Sequence, residues 1–166
     1  MAKKTLTVTL HMSELLYNVQ NTTYLTGRSR NNGSNHEEAA NMQANEDDEN
    51  LNQIVRSIGN AFSTLKMKLS EYISSAVTTA SNVQIDKSTN LSLTLSMPSN
   101  YNQATADSIA SAVHQYLVNI AIGDWFTITN KNDAADYMAL AASNLQEIRE
   151  SINKRVRPQR TEVSKS

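Results

Sequence analysis

The sequence predicts an α+β fold, a predominantly helical domain with about four helices packed on a small three-stranded antiparallel sheet. Two observations carry this. Leu6, Val8 and Leu10 alternate with threonines, and Leu91, Leu93, Leu95 and Met97 alternate with Ser92, Thr94 and Ser96, the period of two that marks a half-buried strand. Elsewhere apolar residues recur in steps of three and four along 51–76, 109–120 and 137–152, the period of an amphipathic helix.

In chain order, Lys4–Leu10 is the first strand. Ser13 is placed to cap a short helix whose inward stripe is Leu15, Leu16 and Val19, fading near Thr22 and Thr23. From Leu25 to about Asn45 the apolar period is lost, and Thr26 to Asn35, rich in Gly and Asn, predicts a mobile polar loop over about 26–45. The longest stripe follows, Leu51, Ile54, Ile58, Phe62, Leu65, Leu69, Tyr72 and Ala76, widened by Val55 and Ile73, and predicts a helix over about 46–80. Gly59 inside it costs about 1 kcal/mol relative to alanine, which is consistent either with a bend or with a close helix contact.

Val83 and Ile85, the turn-forming run 86–90 and the alternating Leu91–Met97 predict a hairpin closed by Pro98. With the first strand it makes three, the least for an independently stable sheet. Thr105 is a plausible cap for a helix to about Ile122, with Ile109, Val113, Tyr116, Leu117 and Ile120 inward and Gly123 just past its end. Asp124 to Asn130 reads as an aromatic connection. A last helix starts near Asn132 and runs to about Arg155, with Tyr137, Ala141, Leu145, Ile148 and Ile152 on one stripe and Pro158 as its stop. Residues 1–158 are then one domain, and 159–166 a C-terminal basic arm.

Composition narrows the function classes. The chain has 166 residues and no cysteine, so a disulfide scaffold, a thiolate nucleophile and a sulfur-ligated zinc are excluded. With 15 Lys+Arg against 16 Asp+Glu the net charge is -1, unsuited to coating nucleic acid by bulk electrostatics. No run of about 18 apolar residues is present, so no membrane partner is expected. Met1-Ala2-Lys3-Lys4 leads into alternating Leu and Thr rather than a signal sequence, giving the expectation of an intracellular product. Hydrophobic residues make up 39% and charged residues 19%, below the usual averages of about 45–50% and 25%. That deficit suits a chain that completes its surface against neighbouring copies, and equally a small monomer with long polar loops.

Chemistry-bearing patterns are sparse. His11, His36 and His114 lack the i+3 or i+4 partners of helical metal sites, apart from the acidic neighbours of His36 in the expected loop. Nucleophile-elbow, P-loop and dinucleotide fingerprints do not occur, and four glycines are few for a phosphate cradle. The expectation is a protein that is not an enzyme, with no cofactor, metal or small-molecule substrate.

The charge distribution says more than its sum. Glu37, Glu38, Glu46, Asp47, Asp48 and Glu49 form an acidic stretch without a basic residue, whereas Arg149, Lys154, Arg155, Arg157, Arg160 and Lys165 crowd the C-terminal end. Acidic residues before a helix, and Lys154 and Arg155 after one, complement the helix dipole. Arg157 and Arg160 lie beyond its reach, which makes the arm a candidate contact for an acidic surface: the 37–49 stretch of a neighbouring subunit, another acidic protein, or nucleic acid. Arg28 and Arg30 can join such a contact or be solvated. Trp125 and Phe126, from a chain with one Trp and two Phe, plug the end of the core or anchor an interface.

The string Trp125-Phe126-Thr127-Ile128-Thr129-Asn130-Lys131-Asn132-Asp133-Ala134-Ala135-Asp136-Tyr137, followed by Ala141, Leu145, Ile148 and Arg155-Val156-Arg157-Pro158, resembles small proteins encoded by phages and prophages of Bacteroidetes bacteria, including crAss-like phages. The resemblance covers roughly residues 121–160, with some support from the first strand. It implies a virion structural protein, made in the bacterial host cytoplasm: a head–tail connector ring, neck or tail-completion subunit joining adjacent protein rings. It also implies a cyclic homo-oligomer, with portal, connector or tail subunits as partners and packaged DNA nearby, since such rings close through head-to-tail contacts. It carries over no catalytic residue, and a strongly negative face suited to lining a DNA channel is not evident. The expected interface residues are Arg155, Arg157 and Arg160 as anchor, Glu46, Asp47, Asp48 and Glu49 as complement, and Trp125 with Phe126. The alternative is a nucleic-acid-associated module using the basic arm with Arg28 and Arg30.

Overall fold

A computed structural model describes residues 3–74 and 79–160. Among these the chain is mostly helical, with five α-helices and one two-stranded antiparallel sheet. The elements are β1 (Lys4–Leu10), α1 (Met12–Arg30), α2 (His36–Asn41), α3 (Asp48–Lys68), β2 (Leu91–Met97), α4 (Ala106–Thr129) and α5 (Lys131–Ile152). Short 3-10 turns occupy Ser70–Tyr72 and Gln103–Thr105.

The alternation in the two strands sets their register. Leu6 pairs with Leu95, Val8 with Leu93 and Leu10 with Leu91, all on the inward face, while Thr5, Thr7 and Thr9 oppose Ser96, Thr94 and Ser92 on the other. A slip of one residue would turn all the leucines outward. The expected third strand at Val83–Ile85 is not formed: Val83 is 80% exposed, and the chain there is irregular. Ile85 instead packs on α3, and Ile73 bridges Leu95 while the Ser74 amide donates to the Thr94 carbonyl at 3.4 Å. The fragment leaving α3, rather than the preceding arm of a hairpin, takes the position beside β2.

The helix bounds differ from expectation, and α2 forms inside the expected loop. The first helix continues through Thr22 and Thr23 to Arg30 because its buried stripe, Met12, Leu15, Val19, Thr23 and Gly27, changes from large apolar to small residues without losing its spacing. Buried Thr23 donates to the Val19 carbonyl and accepts the Ala44 amide, and a Cβ on Gly27 would lie 2.6 Å from the Ala39 carbonyl oxygen. The expected mobile loop therefore reduces to a short turn at 31–35 and the links around α2. Asn31, Asn32 and Asn35 hold the turn through side-chain bonds to Gly33 N, Ser34 N and Asn32 N, with Gly33 at φ 88°. The long helix α3 ends at Lys68 rather than near 80. Tyr72 and Ile73 follow in a 3-10 turn and a bridge, and Ala76 lies outside the described residues.

The largest departure is α4, which does not stop at Ile122. Gly123 packs inside the helix against α5, where an added Cβ would lie 2.7 Å from the Met138 methyl carbon. Trp125 and Phe126 are thus in the last turns of α4, not in a connection. Asn130 alone separates α4 from α5: its amide donates to the Phe126 carbonyl at 2.7 Å, and its own carbonyl accepts the Asp133 amide at 3.2 Å. The two helices pack along their length as an antiparallel hairpin. The Asn119 amide donates to Asn144 across it at 2.7 Å, a polar pair that fixes register in an apolar seam. Ala141, Leu145, Ile148 and Ile152 are buried as their stripe predicts, but α5 ends at Ile152, capped at Asn153, five residues before Pro158 is reached. Thr105 precedes α4 without capping it. Its hydroxyl bonds Tyr101, Asn102 and the Ser151 carbonyl instead, tying the start of α4 to the end of α5.

Gly59 faces Ile85, whose nearest atom would sit 3.5 Å from an added Cβ, an ordinary contact. Neither a bend nor a close helix approach requires a glycine there. Gly59→Ala is expected to stabilise the fold by about 0.5–1 kcal/mol through helix propensity and a less flexible unfolded chain. A urea midpoint at or below that of the parent would contradict this.

Candidate functional site

The α4–α5 hairpin sets the distance between the charged segments. At its closed corner the Trp125 indole N–H donates to the Met42 carbonyl at 2.8 Å, docking the 42–47 segment on the last turns of α4. There Glu46, Asp47, Asp48 and Glu49 are all exposed, with Asp48 and Glu49 in the first turn of α3 where the dipole favours them. At the open end the Asn102 amide donates to the Lys154 carbonyl, and the Val156 amide to the Asn100 carbonyl. The chain after α5 therefore leaves beside the start of α4. At 1.5 Å per residue the 22 residues of α5 separate the two ends by about 33 Å.

The basic residues divide in their roles. Arg155 donates from Nη1 to the Ile152 carbonyl at 2.9 Å, closing the end of α5 as the dipole reading allows. Arg157 and Arg160 are exposed, and within the described residues neither makes a hydrogen bond or ion pair. The rest of the arm, 161–166, lies outside the described residues. Lys66 and Lys68, in the last turn of α3, lie toward the same end, since the Tyr72 hydroxyl just beyond them donates to Asn153.

The aromatic pair does two jobs. Phe126 is fully buried and meets Tyr137 edge-on, ring centroids 5.4 Å apart. Trp125, 7% exposed, forms the inner wall of an open cleft of about 740 Å³ rimmed by Glu38, Asn45, Asp47, Asn50 and Asn132. Trp125 and the acidic segment are thus brought together, and the basic arm is not.

Arg30 is not a free loop cation. Its guanidinium grips Asp133 with two bonds, Nε to Oδ2 at 3.0 Å and Nη2 to Oδ1 at 2.7 Å, the single ion pair among the described residues. Asn130 also donates to this carboxylate. The hydrogen bonds from Arg30 hold the Asp133 carboxyl below its ordinary range, against the opposing effect of burial. Sequence alone does not reveal this pair, because its partners lie in α1 and α5, 103 positions apart.

Asp133→Asn is expected to lower stability at neutral pH by about 1 kcal/mol, kept small by the exposure of Arg30. A depressed folded-state pKa adds stability that is complete above the ordinary value of 3.8 and lost as pH falls through the folded-state value. Urea titrations of parent and variant should therefore converge in that acid range. A gap independent of pH would show that the charge is not what holds the corner.

Of the histidines, His11 and His36 are exposed and His114 sits half-buried beside Asn18 at 3.1 Å, burial pushing its pKa down. No cluster of three or more metal-ligating side chains occurs among the described residues, and none of their helices is long and apolar enough to cross a membrane. Compared with protein families, curated proteins and solved structures, the chain matches none.

One exposed feature escaped the sequence reading. Tyr17 and Tyr24, 66% and 47% exposed, lie two turns apart on α1, on the side away from its buried stripe. The seven-residue spacing is visible in the sequence, but only a helix that continues past Thr23 puts both rings on one face.

Proposed function

We propose that the chain is a non-enzymatic structural subunit of a phage particle, a head–tail connector ring, neck or tail-completion protein that joins adjacent protein rings. The observation that carries it is the placement of opposite charge, unpaired among the described residues, at the two ends of one helical hairpin: the carboxylates 46–49 at the closed corner, and Arg157 with Arg160 beyond the open end. Complementary patches at opposite ends of a subunit associate head to tail, and such contacts close into rings when the rotation permits. The phage setting rests on the resemblance of the Trp125–Tyr137 string and the Arg155–Pro158 end.

Mass spectrometry of purified particles and light scattering of the purified chain test this. The expected result is a ring-sized oligomer and a constant copy number per particle. A stable monomer that is missing from particles would overturn the reading. With Arg30 engaged by Asp133, the nucleic-acid alternative keeps only Arg28 and the arm as phosphate contacts. It would require retention of DNA at low salt that falls steeply as salt rises.

A further inference from the structure

Beside the two tyrosines runs a groove of about 380 Å³ between α1 and the segment that enters α3, lined by Tyr17, Gln20, Tyr24, Gln43, Asn45 and Glu46. Through Tyr17, Gln20 and Glu46 it continues into a second hollow of about 410 Å³ that reaches Ser13 and Lys87. Its chemistry is specific: two exposed phenol rings, four side-chain amides, Asn21 being the fourth, and one carboxylate. Asn45 accepts from the Asp47 amide and from Asn50 at the entry to α3, and Gln43 packs against Gly27, but the two rings and the Glu46 carboxylate have no such engagement among the described residues. The buried stripe of α1 is Met12, Leu15, Val19, Thr23 and Gly27, and neither tyrosine hydroxyl makes a hydrogen bond among the described residues.

We infer that this groove receives the basic arm of a second copy of the chain, with the guanidinium groups of Arg157 and Arg160 over Tyr17 and Tyr24 and one of them paired to Glu46. Resting on the self-assembling reading above, this names the surface that the arm would meet. Guanidinium groups stack on aromatic faces and pair with carboxylates, and amides such as Gln20 and Asn21 satisfy an extended backbone. The arm is built to be extended, because Pro158 fixes its own φ and restricts Arg157 to extended conformations. Dimensions agree. Tyr17 to Tyr24 spans about 10 Å of helix, the reach of about three extended steps of roughly 3.3 Å, and Arg157 to Arg160 is such a span. Lys87 repels the arm at the Ser13 end, which places the arginines toward Tyr24. In the chain itself Arg157 to Arg160 are exposed and bonded to nothing described, while Arg155 and Val156 are held at Asn100–Tyr101. The groove is thus not filled by its own arm, and a second copy is the matching occupant.

The test is photo-crosslinking of the full chain with Gln159→p-benzoylphenylalanine, using an equal mixture of 15N-labelled and unlabelled protein. The expected product joins the arm to peptides containing 13–24 or 43–46, with mixed-isotope pairs that mark contact between copies. Tyr17→Ser with Tyr24→Ser, both exposed and checked for fold by circular dichroism, should lower its yield about tenfold. Same-isotope pairs only, cross-links elsewhere, no cross-link, or an unchanged yield in the tyrosine variant would overturn the assignment. Particle content is a separate readout. A cross-link in the groove from a protein missing from particles would remove the phage reading and keep the docking, and the reverse pair of results would do the opposite.

Discussion

Phe126→Ala is expected to cost about 3–5 kcal/mol of folding stability, a large share of the roughly 5–15 kcal/mol that a domain of this kind possesses. The side chain is fully buried where α4 turns into α5 and meets the Tyr137 ring edge-on. The Tyr137 hydroxyl lies 3.2 Å from the Thr26 hydroxyl. Truncation therefore opens a cavity that α1, α4 and α5 share, and the corner is too constrained to collapse into it: a single residue, Asn130, connects the two helices along the chain, and Trp125 is pinned to the Met42 carbonyl. Urea unfolding reads the loss. Leu140→Ala, at a residue 51% exposed, serves as a control and should shift stability by less than about 0.5 kcal/mol. Similar losses for the two variants would mean that Phe126 does not organise the corner.

Reversing the arm, with Arg157→Glu and Arg160→Glu together, is expected to weaken self-association at least about tenfold while leaving the urea midpoint unchanged. The second half of that expectation follows from the structure, since both side chains are exposed and unbonded among the described residues. The first follows from the proposal, because close charge pairs across an interface couple by about 1.5 kcal/mol or more, or about tenfold in dissociation constant. Glu46→Lys with Asp47→Lys should have the same effect from the other side. Mixing the two variants should then restore mixed oligomers, measured by light scattering at about 0.1 M salt, where charges about 10 Å apart still feel one another. Variants that assemble like the parent, or a mixture that stays dissociated, would separate the acidic segment from the arm.

Much of the core was legible in the sequence. Wherever large apolar side chains keep an unbroken period, as in Leu91–Met97, Ile54–Leu69 and Ala141–Ile152, burial follows the pattern. The reading failed where small residues carry the buried face. Thr23 and Gly27 in α1 and Gly123 in α4 look like the end of a helix, yet each lies against a neighbour that needs the space: Ala44 N on Thr23, the Ala39 carbonyl on Gly27 and Met138 on Gly123. A helix signal based on hydrophobicity has no way to register that, because the reason for the glycine is in another element. With Gly123 taken as a helix end, Trp125 and Phe126 fall in a connection; inside α4 they take the place in the core that the sequence also allows.

Strand pairing failed for a different reason. Val83 and Ile85 alternate as a strand would, but β2 has β1 as its partner, some ninety positions away, with Ile73 at its other side. Which segment reaches an edge first is a question of chain path and of what else covers the apolar face, and a period of two does not contain it. By itself the sequence determined the types of the main elements, the inward residues of the regular stripes and the clustering of opposite charges, because each depends on neighbours along the chain. Only the tertiary structure decided where the helices end, which strands pair, that Arg30 belongs to Asp133, and that the acidic and basic segments stand about a helix length apart. Those depend on contacts between residues distant in sequence, where small size, a free hydroxyl or a charge acquires its meaning from what is packed against it.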